Sequence, residues 1–302
     1  MELNDIKAEF EAWRNQPELR REINLLARAK ALDFLHFVRS IVPEMIDPPD
    51  LKARFVVEVA QLVAALTAID QRLFAHVRDA IGAGQLRGAA LRAYLMQFAA
   101  ADPVSGENVD IHTHYGAVDL LVDGIFALQS APAPSLTPTA EMVHCEETPA
   151  LAILDLVDQL DVGPADRFYD LGCGLGQVTM LVHLLTGVTA RGVEIEPSFV
   201  AFARQQAGAL KLPAVHFLNG DAQTAPYDDG TIFFLFTPFR GAMLRRVLAR
   251  LQTIARDHPI RVCTFGPCTP IVAAESWLRP RRNEIPHEYK LAIFDSQPPV
   301  IP

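Results

Sequence analysis

Residues 170–177 read Asp170-Leu171-Gly172-Cys173-Gly174-Leu175-Gly176-Gln177. A short apolar run, Phe168 and Tyr169, leads into Asp170, and three glycines follow at alternate positions. Next comes an apolar-rich run, Val178 to Leu185, closed by Gly187. A second apolar run ends in Arg191-Gly192-Val193-Glu194-Ile195-Glu196. This order predicts a strand, a glycine turn, a helix with a C-terminal glycine, and a second strand carrying a carboxylate at its tip. In a parallel sheet, that is the first βαβ unit of a nucleotide-binding half.

The chemistry of the unit follows from its parts. Glycines let the chain turn tightly after the strand and let a ligand lie against bare main chain. The helix start offers free N–H groups. A carboxylate at Glu194 is placed to accept hydrogen bonds from both hydroxyls of a ribose. A dinucleotide fingerprint needs Gly-x-Gly-x-x-Gly. Counted from Gly172, that third glycine is Gln177; counted from Gly174, there is no match either. Instead an acidic residue, Asp170, stands two places before the first glycine, where it would face a cation rather than a phosphate. S-adenosylmethionine has an adenosine, an α-ammonium and a sulfonium, and no phosphate.

Asp170-Leu-Gly-Cys-Gly-Leu-Gly-Gln resembles the first motif of the class I S-adenosylmethionine-dependent methyltransferases, and Gly192-Val-Glu-Ile-Glu-Pro197 resembles their second. Asn219-Gly220-Asp221-Ala222, after the apolar run Val215 to Leu218, is similar to the third. The resemblance implies that Asp170, Gly172, Cys173, Gly174, Gly176 and Gln177 surround the methionine part of S-adenosyl-L-methionine. It also implies that Glu194 holds the ribose, and that Asp221 and Ala222 meet the adenine. A finer likeness is to the non-SET histone-lysine methyltransferases and their bacterial relatives. There a Glu-Thr pair before a helix touches the methionine end of the cofactor, which implies the same for Thr148 of Glu147-Thr148-Pro149. Gln177 also suits that subgroup, whereas Cys145 stands where it has an aromatic residue.

Length and composition bound the rest. The chain has 302 residues, half of them apolar, enough for one large domain or two ordinary ones with a substantial core. A net charge of −9 argues against bulk nucleic-acid binding, which needs a basic footprint. The four cysteines show no metal-type pairing and read as reduced thiols of a cytoplasmic protein. The acidic start, Met-Glu-Leu-Asn-Asp, is unlike a signal peptide, and no apolar stretch is long enough to span a membrane.

Three regions are expected: a helical domain at 1–101, an irregular segment with a proline-rich linker and candidate lid at 102–146, and an S-adenosylmethionine-binding domain at 147–302. In the first, apolar positions from Phe10 to Leu32 recur at helical spacing, with a break at Asn15 to Pro17. Asp50 is the expected N-cap of the next helix, which runs to about Ile81, and a further helix ends near Ala100. These helices are a candidate cap, acceptor-recognition domain or homo-oligomer interface. In the second region, His112 and His114 lack a third ligand, so no metal is expected. Ala117 to Leu128 reads as helix, and Ala131 to Thr139 as the extended linker. Thr148 is the expected N-cap of a helix from Ala150, with Pro149 at its first position.

The third region reads as a doubly wound, seven-stranded, mostly parallel sheet, the Rossmann-like methyltransferase fold. Thr231 to Phe236 is a solid apolar run, as a strand buried on both faces requires. A fifth strand is expected at Arg261 to Phe265, a helix at Thr269 to Leu278, and a closing pair at Arg281 to Ile285 and Tyr289 to Asp295. Ligands bind beyond the carboxyl ends of such strands, so the acceptor belongs near Phe236 to Phe239. Phe236-Thr237-Pro238-Phe239 lacks the Asn/Asp-Pro-Pro-Tyr/Phe signature of base and glutamine N-methyltransferases. Thr237 and Phe239 remain candidate pocket walls, and Tyr115, Asp119 and His144 are candidate bases. Arg240, Arg245, Arg246 and Arg250 read as a solvated helix face. The sequence therefore points to a methyltransferase acting on an unidentified acceptor, a protein side chain or a small metabolite. A non-catalytic interaction module on the same fold is the alternative, and a nicotinamide-dependent enzyme is disfavoured by Asp170 and Gln177.

Overall fold

The computed structural model describes residues 3–41, 49–102, 115–137, 139–143, 147–282, 287–288 and 290–297. His112, His114, His144 and Cys145 lie outside them. The chain divides into two compact units: Met1–Ala80 with Ala93–Val109 and Tyr115–Ile125, and Ile81–Arg92 with Asp110–His114 and Phe126–Pro302.

The first unit is helical. It draws on α1 (Leu3–Arg14), α2 (Leu25–Ile41), α3 (Pro49–Gly82), α4 (Gly88–Ala101) and α5 (Ala117–Phe126). Ile6, Phe10, Leu19, Leu35, Val38, Val59 and Val63 form one apolar cluster from α1, α2, α3 and the turn before α2. A Cβ at Gly124 would fall 2.3 Å from the Phe74 ring, so only glycine lets α5 lie so close to α3. α3 opens at Pro49, which places Asp50 inside the first turn and not at the N-cap expected for it. Proline suits that first position because its fixed φ is helical and it has no N–H to leave unpaired.

The second unit is a sheet flanked by helices. Its strands are β1 (Arg167–Leu171), β2 (Thr189–Glu194), β3 (Val215–Asn219), β4 (Ile232–Phe236), β5 (Arg261–Phe265), β6 (Leu278–Pro280) and β7 (Ala292–Ser296). They lie in the order β3-β2-β1-β4-β5-β7-β6. β1 to β5 are mutually parallel, and β7 runs antiparallel to β5 and to β6. The sheet is thus seven-stranded and mostly parallel, as the sequence predicts. Its helices are α6 (Ala150–Gln159), α7 (Gln177–Thr186), α8 (Pro197–Ala209), α9 (Gly241–Asp257) and α10 (Thr269–Ala273).

Strand side chains alternate between the faces. Tyr169 and Leu171 of β1 join a core with Leu244, Val247, Leu248 and Leu251 of α9. Asp170 between them turns to the other face, where Thr179 of α7 donates to its Oδ2 at 3.1 Å. That alternation separates a dry core from a polar edge within three residues.

Three local expectations are corrected. The residue flanking α6 is Pro149, at φ −52° and ψ 131°, whose carbonyl accepts from Ala152 and Ile153; Thr148 is therefore one place too early to cap it. The helix expected to reach Leu278 stops at Ala273, because Trp277 and Leu278 are drawn into the sheet core. The closing strands accordingly fall at Leu278–Pro280 and Ala292–Ser296.

Candidate functional site

The site is built at the carboxyl ends of β1 and β2. Gly172, Gly174 and Gly176 have φ of +87°, +51° and +83°, values an L side chain rarely adopts. Two are also fixed by contact. A Cβ on Gly172 would sit 2.2 Å from Cβ of Pro238, and one on Gly176 would sit 2.6 Å from the Phe217 ring. The loop folds back onto β2: the N–H groups of Gly172 and Cys173 both donate to the Val193 carbonyl, at 2.8 and 3.0 Å. Cys173 is buried, and a Cβ on Gly192 would lie 2.4 Å from its Sγ, so its side chain packs over the strand.

Glu194 closes the loop from the side. Its Oε2 accepts from the Gly174 N–H at 3.0 Å and its Oε1 from the Glu196 N–H at 2.8 Å. Each oxygen retains a second acceptor direction, which is what a pair of ribose hydroxyls requires. Asp170 is buried. Burial raises its carboxyl to about 7, against the hydrogen bonds from Thr179 and with the Glu194 charge adding to the shift. A cation at this position would pull it back down. Gln177, the first residue of α7, is buried and its amide Nε2 has no hydrogen-bond partner. A buried donor left unpaired is costly, so this nitrogen is placed to meet an acceptor on a ligand.

The third motif joins the first two. The Gly220 N–H donates to the Glu194 carbonyl at 2.9 Å, which brings Asp221 to the end of β2. The Asp221 carboxylate accepts from the Gln223 main chain at 2.8 Å and from its side-chain amide at 2.9 Å. The Ala222 carbonyl accepts from Tyr227 Oη at 2.6 Å. Thr148 is buried ahead of α6.

Beyond β4 the chain is strained. Thr237 has φ +39°, an outlier for a β-branched residue. Its hydroxyl donates to the Phe265 carbonyl at 3.3 Å and accepts from the Cys268 N–H at 3.1 Å. The Phe236 ring lies 4.9 Å from that of Phe265, and Phe239 is buried. Such strain gathers where a backbone is held for function. Tyr115 and Asp119 belong to the helical unit. There the Tyr115 hydroxyl bonds Asp123, and Asp119 Oδ2 accepts from the Gly116 N–H at 2.7 Å, as a cap of α5. Arg246 bonds Gln223, and Arg250 pairs with Asp228 at 3.0 Å, so part of the expected solvated face is tied to neighbouring loops.

Two carboxylates that the sequence reading passed over shape this edge. Glu196 accepts from Ser135 Oγ at 2.5 Å, the Leu136 N–H at 2.8 Å and the Ser198 N–H at 3.1 Å. Burial raises its carboxyl, but these donors outweigh burial and bring it to about 2. Glu141 accepts from the N–H groups of Ala242 and Met243, at 2.6 and 3.2 Å, and so caps α9 from outside the helix. An acid just before Pro197 was a readable N-cap signal; Glu141 carried none. Among the described residues there is no metal-type cluster of three or more His, Cys, Asp or Glu, and no helix long and apolar enough to cross a membrane.

Residues 168–256 match the family model described as "Methyltransferase domain". A demethylmenaquinone methyltransferase of Shouchella clausii is 25% identical over 124 residues, 39% of this chain and 53% of that protein. The chain thus spans about half the length of that relative. Among solved structures, an RNA methyltransferase from Salinibacter ruber in complex with S-adenosyl-L-homocysteine is 22% identical. The match covers 52% of this chain and 97% of that one, with a TM-score of 0.39. A geranyl diphosphate C-methyltransferase from Streptomyces coelicolor A3(2) is 19% identical over 39% of this chain and 44% of that one, with a TM-score of 0.34. Residues 168–256 thus match a methyltransferase domain, and the strand order is that of the Rossmann-like methyltransferase fold. The donor set fits its cofactor: a bare glycine loop, a carboxylate for the ribose, a buried carboxyl for a cation and an orphaned amide.

Proposed function

We propose that the protein is an S-adenosylmethionine-dependent methyltransferase, with Asp170, Gly172, Gly174, Gly176, Gln177 and Glu194 as its cofactor site. The observation that carries this is the orphaned Gln177 amide beside a loop with no basic residue between Asp170 and Gln177. A dinucleotide's pyrophosphate would instead face the buried carboxyl of Asp170. When bound, the cofactor supplies an electrophilic methyl group on a sulfonium. The chain supplies orientation. Asp170 and Gln177 hold the ammonium and carboxylate of the methionine part, Glu194 fixes the ribose, and Asp221 with Ala222 borders the adenine. Thr148 is proposed at the methionine end, on its likeness to the non-SET histone-lysine methyltransferases; that likeness is not extended to the acceptor.

The acceptor meets the strained turn after β4. The Thr237 hydroxyl proton is committed to the Phe265 carbonyl, so it is not a donor to the acceptor. Phe236 offers an aromatic wall, which favours an acceptor whose attacking atom is already nucleophilic and needs alignment more than a base. The thiols of Cys173, Cys263 and Cys268 are buried and outside any disulfide, which supports a reducing, cytoplasmic setting. The helical unit is a candidate for acceptor recognition or self-association. Calorimetric titration with S-adenosylmethionine and S-adenosylhomocysteine tests the reading. Micromolar binding to the wild type is expected, and its absence at millimolar ligand defeats the proposal.

A further inference from the structure

The linker between the last helix of the first unit and α6 is held at two points on the carboxyl edge of the sheet. At the first, Ser135 and Leu136 bond Glu196, and Ser198 Oγ donates to the Ala133 carbonyl at 3.3 Å. These partners follow directly on β2. At the second, the Val143 N–H donates to the Pro238 carbonyl at 3.2 Å and the Arg240 N–H to the Glu141 carbonyl at 2.9 Å. Met142 and Phe239 form an antiparallel bridge at the same place. These partners follow directly on β4.

In the sheet, β1 lies between β2 and β4, parallel to both. The two attachments therefore flank the carboxyl end of β1, where the glycine loop stands. The span is two strand spacings, about 10 Å. Leu136 and Glu141 are five residues apart, a reach of at most about 18 Å, enough for that span. Pro238 belongs to the second attachment and is also the residue against which Gly172 packs. Strap, loop and turn are thus neighbours.

We propose that residues 133–137 and 139–143 form a strap over the cofactor site, with Glu196 as a releasable latch that gates cofactor entry and exit. This rests on the reading of that site as the S-adenosylmethionine site. Glu196 is a positioning residue: it holds the strap, and the strap covers the ligand. The Glu141 end is the fixed end, because it also caps α9 and is continuous with the β4 turn. The Glu196 end is the mobile end, because its bonds to the linker run through the side chains of Glu196 and Ser198, whereas the Glu141 end is also held main chain to main chain at Pro238 and Arg240.

The test uses the full chain and S-adenosylhomocysteine, with association and dissociation rates followed by stopped flow against a fluorescent analogue. Ser135→Ala removes one latch bond and leaves the α8 cap intact; Glu196→Gln weakens the whole latch. Both variants are expected to raise association and dissociation rates together, Glu196→Gln by about tenfold, the scale of a lost charge-assisted bond. Affinity should change much less than either rate, and the melting temperature of Ser135→Ala should stay at the wild-type value. A purely structural latch would lower the melting temperature and leave the rates alone, and that result overturns the proposal. Unchanged dissociation in both variants overturns it as well. Failure of the wild type to bind S-adenosylhomocysteine defeats the cofactor reading itself, and the strap with it.

Discussion

The main-chain N–H of Gly174 donates to Oε2 of Glu194 at 3.0 Å. The glycine loop after β1 and the acid at the end of β2 are therefore one object: the carboxylate that would hold a ribose also fixes the loop that would hold the methionine. Glu194→Ala removes both functions. Two charge-assisted hydrogen bonds to ribose hydroxyls are worth about 1.5–3 kcal/mol each. A loss of at least about a hundredfold in S-adenosylhomocysteine affinity is expected by calorimetry. Glu194→Gln, which can still accept from Gly174, should lose less. Equal affinity in wild type and Glu194→Ala would remove Glu194 from the site.

In its proposed role, Asp170 links cofactor binding to pH. Its carboxyl, raised by burial to about 7, is partly protonated near neutrality. A bound α-ammonium favours the ionised form, so binding releases a proton. Affinity for S-adenosylhomocysteine should fall as pH drops below 7, towards tenfold per unit, and level off above it. The same shift acts on stability with the opposite sense. The folded state holds this proton up to about pH 7, whereas the unfolded chain gives it up near 3.8. The unfolded state thus binds fewer protons in that window, and stability of the ligand-free protein falls as pH rises through it. At 1.36 kcal/mol per unit the ceiling is about 4 kcal/mol. Asp170→Asn should flatten both profiles, raise the melting temperature at pH 8 and weaken binding there.

Gly172 and Gly187 separate backbone strain from collision. Both have positive φ, +87° and +77°. A Cβ on Gly187 meets nothing within 4 Å, whereas one on Gly172 meets Pro238 at 2.2 Å. Gly187→Ala should cost about 1 kcal/mol, the penalty of a left-handed alanine after a helix. Gly172→Ala adds overpacking against a stiff ring and should cost about 3 kcal/mol or more, with cofactor binding lost. Denaturant melts of the two variants give the comparison directly. Similar costs would mean that the Pro238 turn yields easily.

The loop after β1 was legible where a local backbone demand leaves a residue type behind. Positive φ at Gly172, Gly174 and Gly176 asks for glycine, and the second strand's tip shows its acid. The helices of the first unit followed from apolar spacing, since burial on one face is a periodic requirement. What stayed hidden is tertiary. Arg240 precedes α9 without a side-chain cap, and the cap comes from Glu141, a hundred residues earlier in the chain. Ser135 meets Glu196 across sixty-one positions. Thr237 occupies a glycine-like conformation because Phe265 and Cys268 hold its hydroxyl, which nothing in Phe236-Thr-Pro-Phe discloses. Thr148 had the right chemistry for a cap, but the chain enters the helix one residue later.

Arg28 offers the sharpest test of the helical unit. Its guanidinium is fully buried, bonds Asp70 at 2.6 Å, and donates to the carbonyls of Leu19, Arg21 and Glu22 at 3.1, 2.5 and 2.9 Å. One side chain thus fastens the turn before α2 to the middle of α3. Burial pushes the Asp70 carboxyl up, and the Arg28 charge only partly offsets it, so the pair is held by geometry more than by net electrostatic gain. Arg28→Ala leaves Asp70 buried without its cation and should cost about 3–5 kcal/mol, the range for breaking a buried pair. Replacing both partners, Arg28→Met with Asp70→Leu, removes the uncompensated charge and should recover most of that loss. The check is a double-mutant cycle by urea denaturation. A double variant as unstable as Arg28→Ala would show that the three carbonyl bonds, not the ion pair, carry the turn.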